Sequence, residues 1–262
     1  MVSPPHLPPE LEYAIFLLAF KKDGQDAKNL ILVAKRVFDW LIPHVFHIVK
    51  LSDVGYNSSP IMFNESAYQR YGHHTRHLFI EASTLAIHLH LFPNVIDLGY
   101  WMEFDSLHLP ILLQFPLTQL STYPSRHLLE IFPKLTHLDL LTLNHPDLST
   151  SDLAPSTYPK LTHLCVPRNI TELSLQFFLE EERCPELRVV AVWAHGDGGP
   201  LLNENDLPKV DDPRIVDDPR IVMLKSNGDA SEWEEGARGT MDFWKFADGI
   251  IASRNVNRRT GN

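Results

Sequence analysis

Fourteen histidines and two cysteines are the side chains of this chain best suited to holding a metal or moving a proton. Three of the histidines recur in one setting: Arg76-His77-Leu78, Thr136-His137-Leu138 and Thr162-His163-Leu164. Each stands one residue before an apolar strand position, so the three point to the outer face of a sheet whose leucines point inward. Neighbouring strands lie about 4.8 Å apart, so His137 and His163 could share a cation if their strands pair, with Asp139 in the same frame. Two histidines without a fuller carboxylate set make a poor metal site. The expected role is a solvated binding face, with no metal and no cofactor.

Signatures of catalysis are missing. The sequence has no Gly-x-Ser-x-Gly elbow, no Gly-rich phosphate loop ending in Lys-Ser/Thr, no His-Glu-x-x-His and no dinucleotide fingerprint. Cys165 falls in a strand frame and Cys184 precedes a proline, both positions that suit packing. Asp211-Asp212 and Glu180-Glu181-Glu182 read as solvated charge runs. The chain is not expected to be an enzyme.

The elements that must position these residues come from an internal repeat. Four segments share an aromatic or Cys, then Pro-x-apolar-x-x-apolar: Phe92 to Leu98, Phe132 to Leu138, Tyr158 to Leu164 and Cys184 to Val190. Pro-Lys-Leu-Thr-His-Leu occurs word for word at 133–138 and 159–164. Leu117 to Leu120 fits the frame without its proline, and Thr75 to Ile80 is a weaker copy. Alternating apolar residues after each proline (Leu138 and Leu140, Leu164 and Val166, Val190 and Val192) predict short half-buried strands. Between them, Leu85, Leu89 and Phe92, then Leu128, Leu129 and Phe132, then Leu173 and Phe177 follow helical spacing, with Asn169 and Glu172 as a capping box. Units this short bury an apolar face only by stacking. The 38 leucines among 262 residues then have a structural cause.

Both ends differ from the array. Leu11, Ile15 and Leu18 predict one helix, and Leu30, Val33, Val37 and Trp40 a second that stops at Pro43. Val45 to Leu51 alternates like a first strand. Asp-Asp-Pro-Arg-Ile-Val stands in tandem at 211–216 and 217–222, one copy expected as strand and the other as loop. Trp244, Ala247 and Ile251 stripe a last helix, expected to cover the open edge of the sheet.

Leu7-Pro8-Pro9-Glu10-Leu11, Ile15-Phe16, Leu30, Val33, Lys35-Arg36 and Trp40 resemble the F-box, a short three-helix motif. The downstream units resemble degenerate leucine-rich repeats. Asp-Pro-Arg-Ile-Val, with Glu232 to Gly239 and Asp242-Phe243-Trp244, is similar to F-box-like proteins of mushroom-forming fungi. The resemblance implies an α/β chain: an F-box-like helical motif over 1–48, a repeat array of parallel strands and helices over 49–195, and a capping segment over 196–262. It further implies a substrate-recognition subunit of a Skp–cullin–F-box ubiquitin ligase, the alternative being an interaction scaffold that keeps only the fold. Leu7, Pro8, Leu11, Ile15, Phe16, Leu30, Val33, Lys35 and Trp40 would meet the Skp adaptor. His77, Asp97, Gln119, His137, Asp139 and His163 would face an unidentified target protein.

A formal charge of −10 speaks against a nucleic-acid partner. The longest apolar run, Ile15 to Phe20, ends at Lys21-Lys22, so no membrane span is expected. No secretory signal is visible, and the expected location is cytoplasmic or nuclear.

Overall fold

A computed structural model describes residues 7–22, 27–51, 65–81, 86, 88–101, 108–123, 134–141, 158–167, 175, 178–195, 218–226, 230–240 and 242–260. Its centre is a parallel sheet of eight strands: β1 (Ile48–Leu51), β2 (His77–Ile80), β3 (Asp97–Tyr100), β4 (Gln119–Thr122), β5 (His137–Leu140), β6 (His163–Pro167), β7 (Val189–His195) and β8 (Ile221–Ser226). They lie side by side in chain order. Each strand begins where alternation sets in after the Pro-x-apolar frame, or after its proline-less copies.

One cross-strand row shows why the register holds. Val49, Leu78, Leu98, Leu120, Leu138, Leu164, Val190 and Ile221 pair in sequence across all eight strands. All are buried in the larger core, with Val95, Leu117, Leu135, Leu161 and Leu187 from just before the strands. A slip of one residue would turn this whole set to the other face. The aromatic that precedes the proline also enters this core, as Phe92, Tyr158 and, in its place, Cys184.

Threonines lock the array from below. The hydroxyls of Thr118, Thr136 and Thr162 donate to the carbonyls of Ile96, Thr118 and Thr136 at 3.2, 2.9 and 3.1 Å. The same carbonyls receive the backbone N–H of those threonines and of the next residue. The repeated Leu-Thr-His-Leu therefore reads as core, lock, outer face, core.

Helices α1 (Pro9–Lys22), α2 (Ala27–Leu30) and α3 (Lys35–Val45) precede the sheet, α4 (Glu65–Tyr71) and α5 (Leu109–Leu112) lie between strands, and α6 (Ala230–Arg238) and α7 (Phe243–Thr260) follow it. The expected second helix is thus two pieces, α2 and α3, divided at residues 31–34. Pro43 does not stop α3 but lies inside it. So near the carboxyl end, its missing N–H leaves a single carbonyl, that of the exposed Asp39, for solvent to take. The inter-strand helices expected around Leu85, Leu128 and Leu173, with the Asn169 capping box and the first Asp-Asp-Pro-Arg-Ile-Val copy, lie outside the described residues. The second copy opens β8, with Asp218 accepting from the Arg220 guanidinium and backbone N–H just ahead of it.

The expectation for the C-terminal helix needs correcting. Instead of capping the sheet edge, α6 and α7 lie against the sheet face opposite the main core. Trp244, Ala247 and Ile250 of α7 form a second core with Cys165, Val189, Ala191, Val222 and Leu224. Trp233 of α6 meets Phe79 at a centroid distance of 5.3 Å. The physical reason is that a parallel sheet carries apolar side chains on both faces and needs both covered. Among the described residues, no helix is long and apolar enough to cross a membrane.

Candidate functional site

The N-terminal helices expose apolar side chains in an ordered way. Helix α3 faces the body with Val37, Leu41 and Ile42, all buried, and stacks Phe38 edge-on to Tyr71. Helix α1 then rests on α3: Tyr13 meets Trp40 edge-on at 5.9 Å and lies 3.3 Å from His44 Nε2, and Arg36 pairs with Glu12 at 2.9 Å. With that side of α1 engaged, Leu11, Ile15 and Leu18 stay 53, 53 and 68% exposed. Leu7 continues the line at its amino end, and Leu32 and Val33 are exposed where α2 gives way to α3.

Of the nine side chains proposed from the sequence for this surface, Leu7, Pro8, Leu11, Ile15, Val33 and Lys35 are exposed. Phe16, Leu30 and Trp40 are partly buried, and Trp40 is engaged as the packing partner of Tyr13. Leu18 and Leu32 were missed. The signal for Leu18 was its helical spacing from Leu11 and Ile15, whereas Leu32 carried none, because only the break between α2 and α3 exposes it.

Five of the six residues proposed for the strand face form one row: His77, Asp97, Gln119, His137 and His163 pair in turn across β2 to β6. Asp139 stands in the next row, between Ser121 and Cys165. They do not form a bare surface, however. Asp97 and His163 are buried, and His77 Nδ1 is 2.8 Å from Asp97 Oδ2. His137 and His163 stack with centroids 4.2 Å apart and planes 9° from parallel. Trp244 stands edge-on to both, at 5.2 and 5.4 Å, and Asp248 Oδ1 lies 3.2 Å from His163 Nε2. Helix α7 thus sits where a target was expected. The sequence cue was present in Phe79, Cys165, Val189 and Ala191, which share the outward parity of the histidines and require a cover.

The chemistry of this face is that of packing. The two Nδ1 atoms are tied to the hydroxyls of Thr136 and Thr162 at 2.8 and 2.7 Å. Rings stacked flat direct their lone pairs side by side, not toward a common point, so the pair cannot chelate a cation. Among the described residues, no three His, Cys, Asp or Glu side chains converge as a metal site. Asp139 accepts from Trp193 Nε1 at 3.0 Å and Ser121 Oγ at 2.7 Å, while Trp101 Nε1 donates to Ser121 Oγ at 3.3 Å. Burial pushes the Asp139 carboxyl up, against those hydrogen bonds. Burial, with Asp139 beside it, pushes the Cys165 thiol well up, the reverse of what a nucleophile needs. For His137, burial and then neighbouring His163 lower the pKa to about 4.

No family model, no curated protein and no solved structure matches this chain.

Proposed function

We propose that the chain is a substrate-recognition subunit of a Skp–cullin–F-box ubiquitin ligase, with α1 to α3 docking the Skp adaptor and the strand array carrying a target protein. The observation that carries the reading is the exposed stripe of Leu7, Leu11, Ile15 and Leu18 on a helix already packed on its other side. An isolated exposed leucine needs no explanation, but four in helical register on one element mark a contact surface. Covering one such side chain contributes about 1.5–3 kcal/mol before the costs of association. The sequence resemblance to the F-box covers the same residues and supplies the identity of the partner.

The protein would make and break no bonds itself. Its contribution is proximity: a target held on the array is raised in effective concentration near the ubiquitin carrier that the other subunits hold. A raised Cys165 thiol and the absence of catalytic motifs fit a non-catalytic role. The target reaches either the rim of the sheet or the face beneath α7. A negative overall charge and the apolar stripe favour a protein partner over nucleic acid.

The test is co-purification of the full chain with the Skp adaptor, beside the double variant Leu11→Asp/Ile15→Asp. The expected result is a stoichiometric complex with the parent protein and at least a tenfold loss with the variant, whose melting temperature stays unchanged. A parent protein that fails to bind, or a variant that binds equally, would refute docking through α1 and leave an interaction scaffold.

A further inference from the structure

We infer that the stacked His137–His163 pair is a proton-operated seal, which keeps α7 closed over β5 and β6 at neutral pH and lets it lift in mild acid. The proposal goes beyond the ligase reading and does not depend on it.

The hydrogen-bond network sets the charge state that closure prefers. The hydroxyls of Thr136 and Thr162 each spend their one proton on a carbonyl of the preceding strand. Each can therefore only accept from its histidine, so His137 carries hydrogen on Nδ1 and donates it to Thr136 Oγ1. The neutral ring is satisfied in this arrangement. Protonation would create a cation flat against a second imidazole and beneath the Trp244 indole.

The surrounding groups have been weighed from every element packed there. Helix α7 brings Asp242, Lys245 and Asp248; Lys245 Nζ is 3.4 Å from Asp242, and Asp248 lies against His163. Asp242 and Asp248 favour a proton on His137, yet burial and His163 outweigh them and hold its pKa near 4. From the sheet, β4 offers the uncharged Gln119, β6 adds the Cys165 thiol, which stays protonated, and β5 adds Asp139. Asp139 titrates the other way: with its pKa raised by burial, closure gains from its proton as pH falls.

Opening is confined to α7 by the packing. Its anchors Trp244, Ala247 and Ile250 belong to the smaller core, separate from the cluster that holds the strands together. A terminal helix on its own small cluster is the kind of unit that opens without global unfolding. With His137 near 4 when covered and at its ordinary 6.5 when exposed, the ratio of open to closed rises about thirtyfold between pH 7.5 and 5.

Native-state hydrogen exchange on the full-length protein tests this, comparing amides 246–253 of α7 with 97–100 of β3 after correction for intrinsic rates. The α7 protection is expected to fall about thirtyfold relative to β3 between pH 7.5 and 5, and His137→Gln to abolish that fall. An unchanged ratio, a parallel loss in β3, or a full fall in the variant overturns the proposal. An NMR titration of the His137 ring in the parent protein decides the matter even if the variant does not fold. A midpoint well below 6 supports the seal, whereas an ordinary midpoint near 6.5 ends it.

Discussion

Single side chains settle how closely this sheet can be covered. A Cβ at Gly99 would stand 2.6 Å from the Phe79 ring and 3.3 Å from Trp233 Nε1, so the absence of a side chain there lets α6 approach β3. Gly99→Ala should cost about 1–3 kcal/mol through overpacking, read as a lower urea midpoint. Thr136 serves two partners at once, donating to Thr118 O and accepting from His137. Thr136→Val keeps the shape but strands the ring N–H, for an expected loss of about 1–3 kcal/mol by the same measurement. The histidines were legible from their repeated Thr-His-Leu setting, and five of the six face residues do share one row. Their surroundings were not legible, since a Trp 81 residues beyond His163 cannot be foreseen from local spacing. The lock played by the threonines went unread because hydroxyls before a strand leave no periodic trace.

Elements divide into those with a period and those set by a neighbour. The strands carried period-2 alternation behind a proline, so their positions and parallel stacking could be read directly. Breaks such as that between α2 and α3 depend on packing, and Pro43 misled because a proline near the end of a helix removes very little. Helix α1 differs from every strand in what its apolar residues touch. Truncating Leu98, wholly buried in the main core, should cost about 2–5 kcal/mol as Leu98→Ala. Leu11→Asp, half exposed on α1, should stay within about 0.5 kcal/mol. Chemical denaturation of both variants checks the contrast. Equal losses would mean that the α1 stripe is structural.

Over the whole molecule, two covered sheet faces leave the N-terminal helices as the place where large apolar side chains meet water in register. Acid also acts at this scale. Because folding holds His137 near 4 instead of 6.5, the unfolded chain binds more protons between those values. His137's contribution is complete above pH 6.5 and is lost as pH falls toward 4. Asp139, raised by burial, opposes this below its own folded midpoint. Melting temperatures from pH 7.5 to 5 should therefore decline in the parent and decline less in His137→Gln. The docking surface is the claim on which the functional reading stands, and it is open to one direct measurement: hydrogen exchange of the full chain with and without the purified Skp adaptor. Slowed exchange in amides 9–18 and 30–38, with strand amides unchanged, is the expected result. Identical exchange in that segment while the adaptor is bound elsewhere, or no binding at micromolar concentrations, would contradict it.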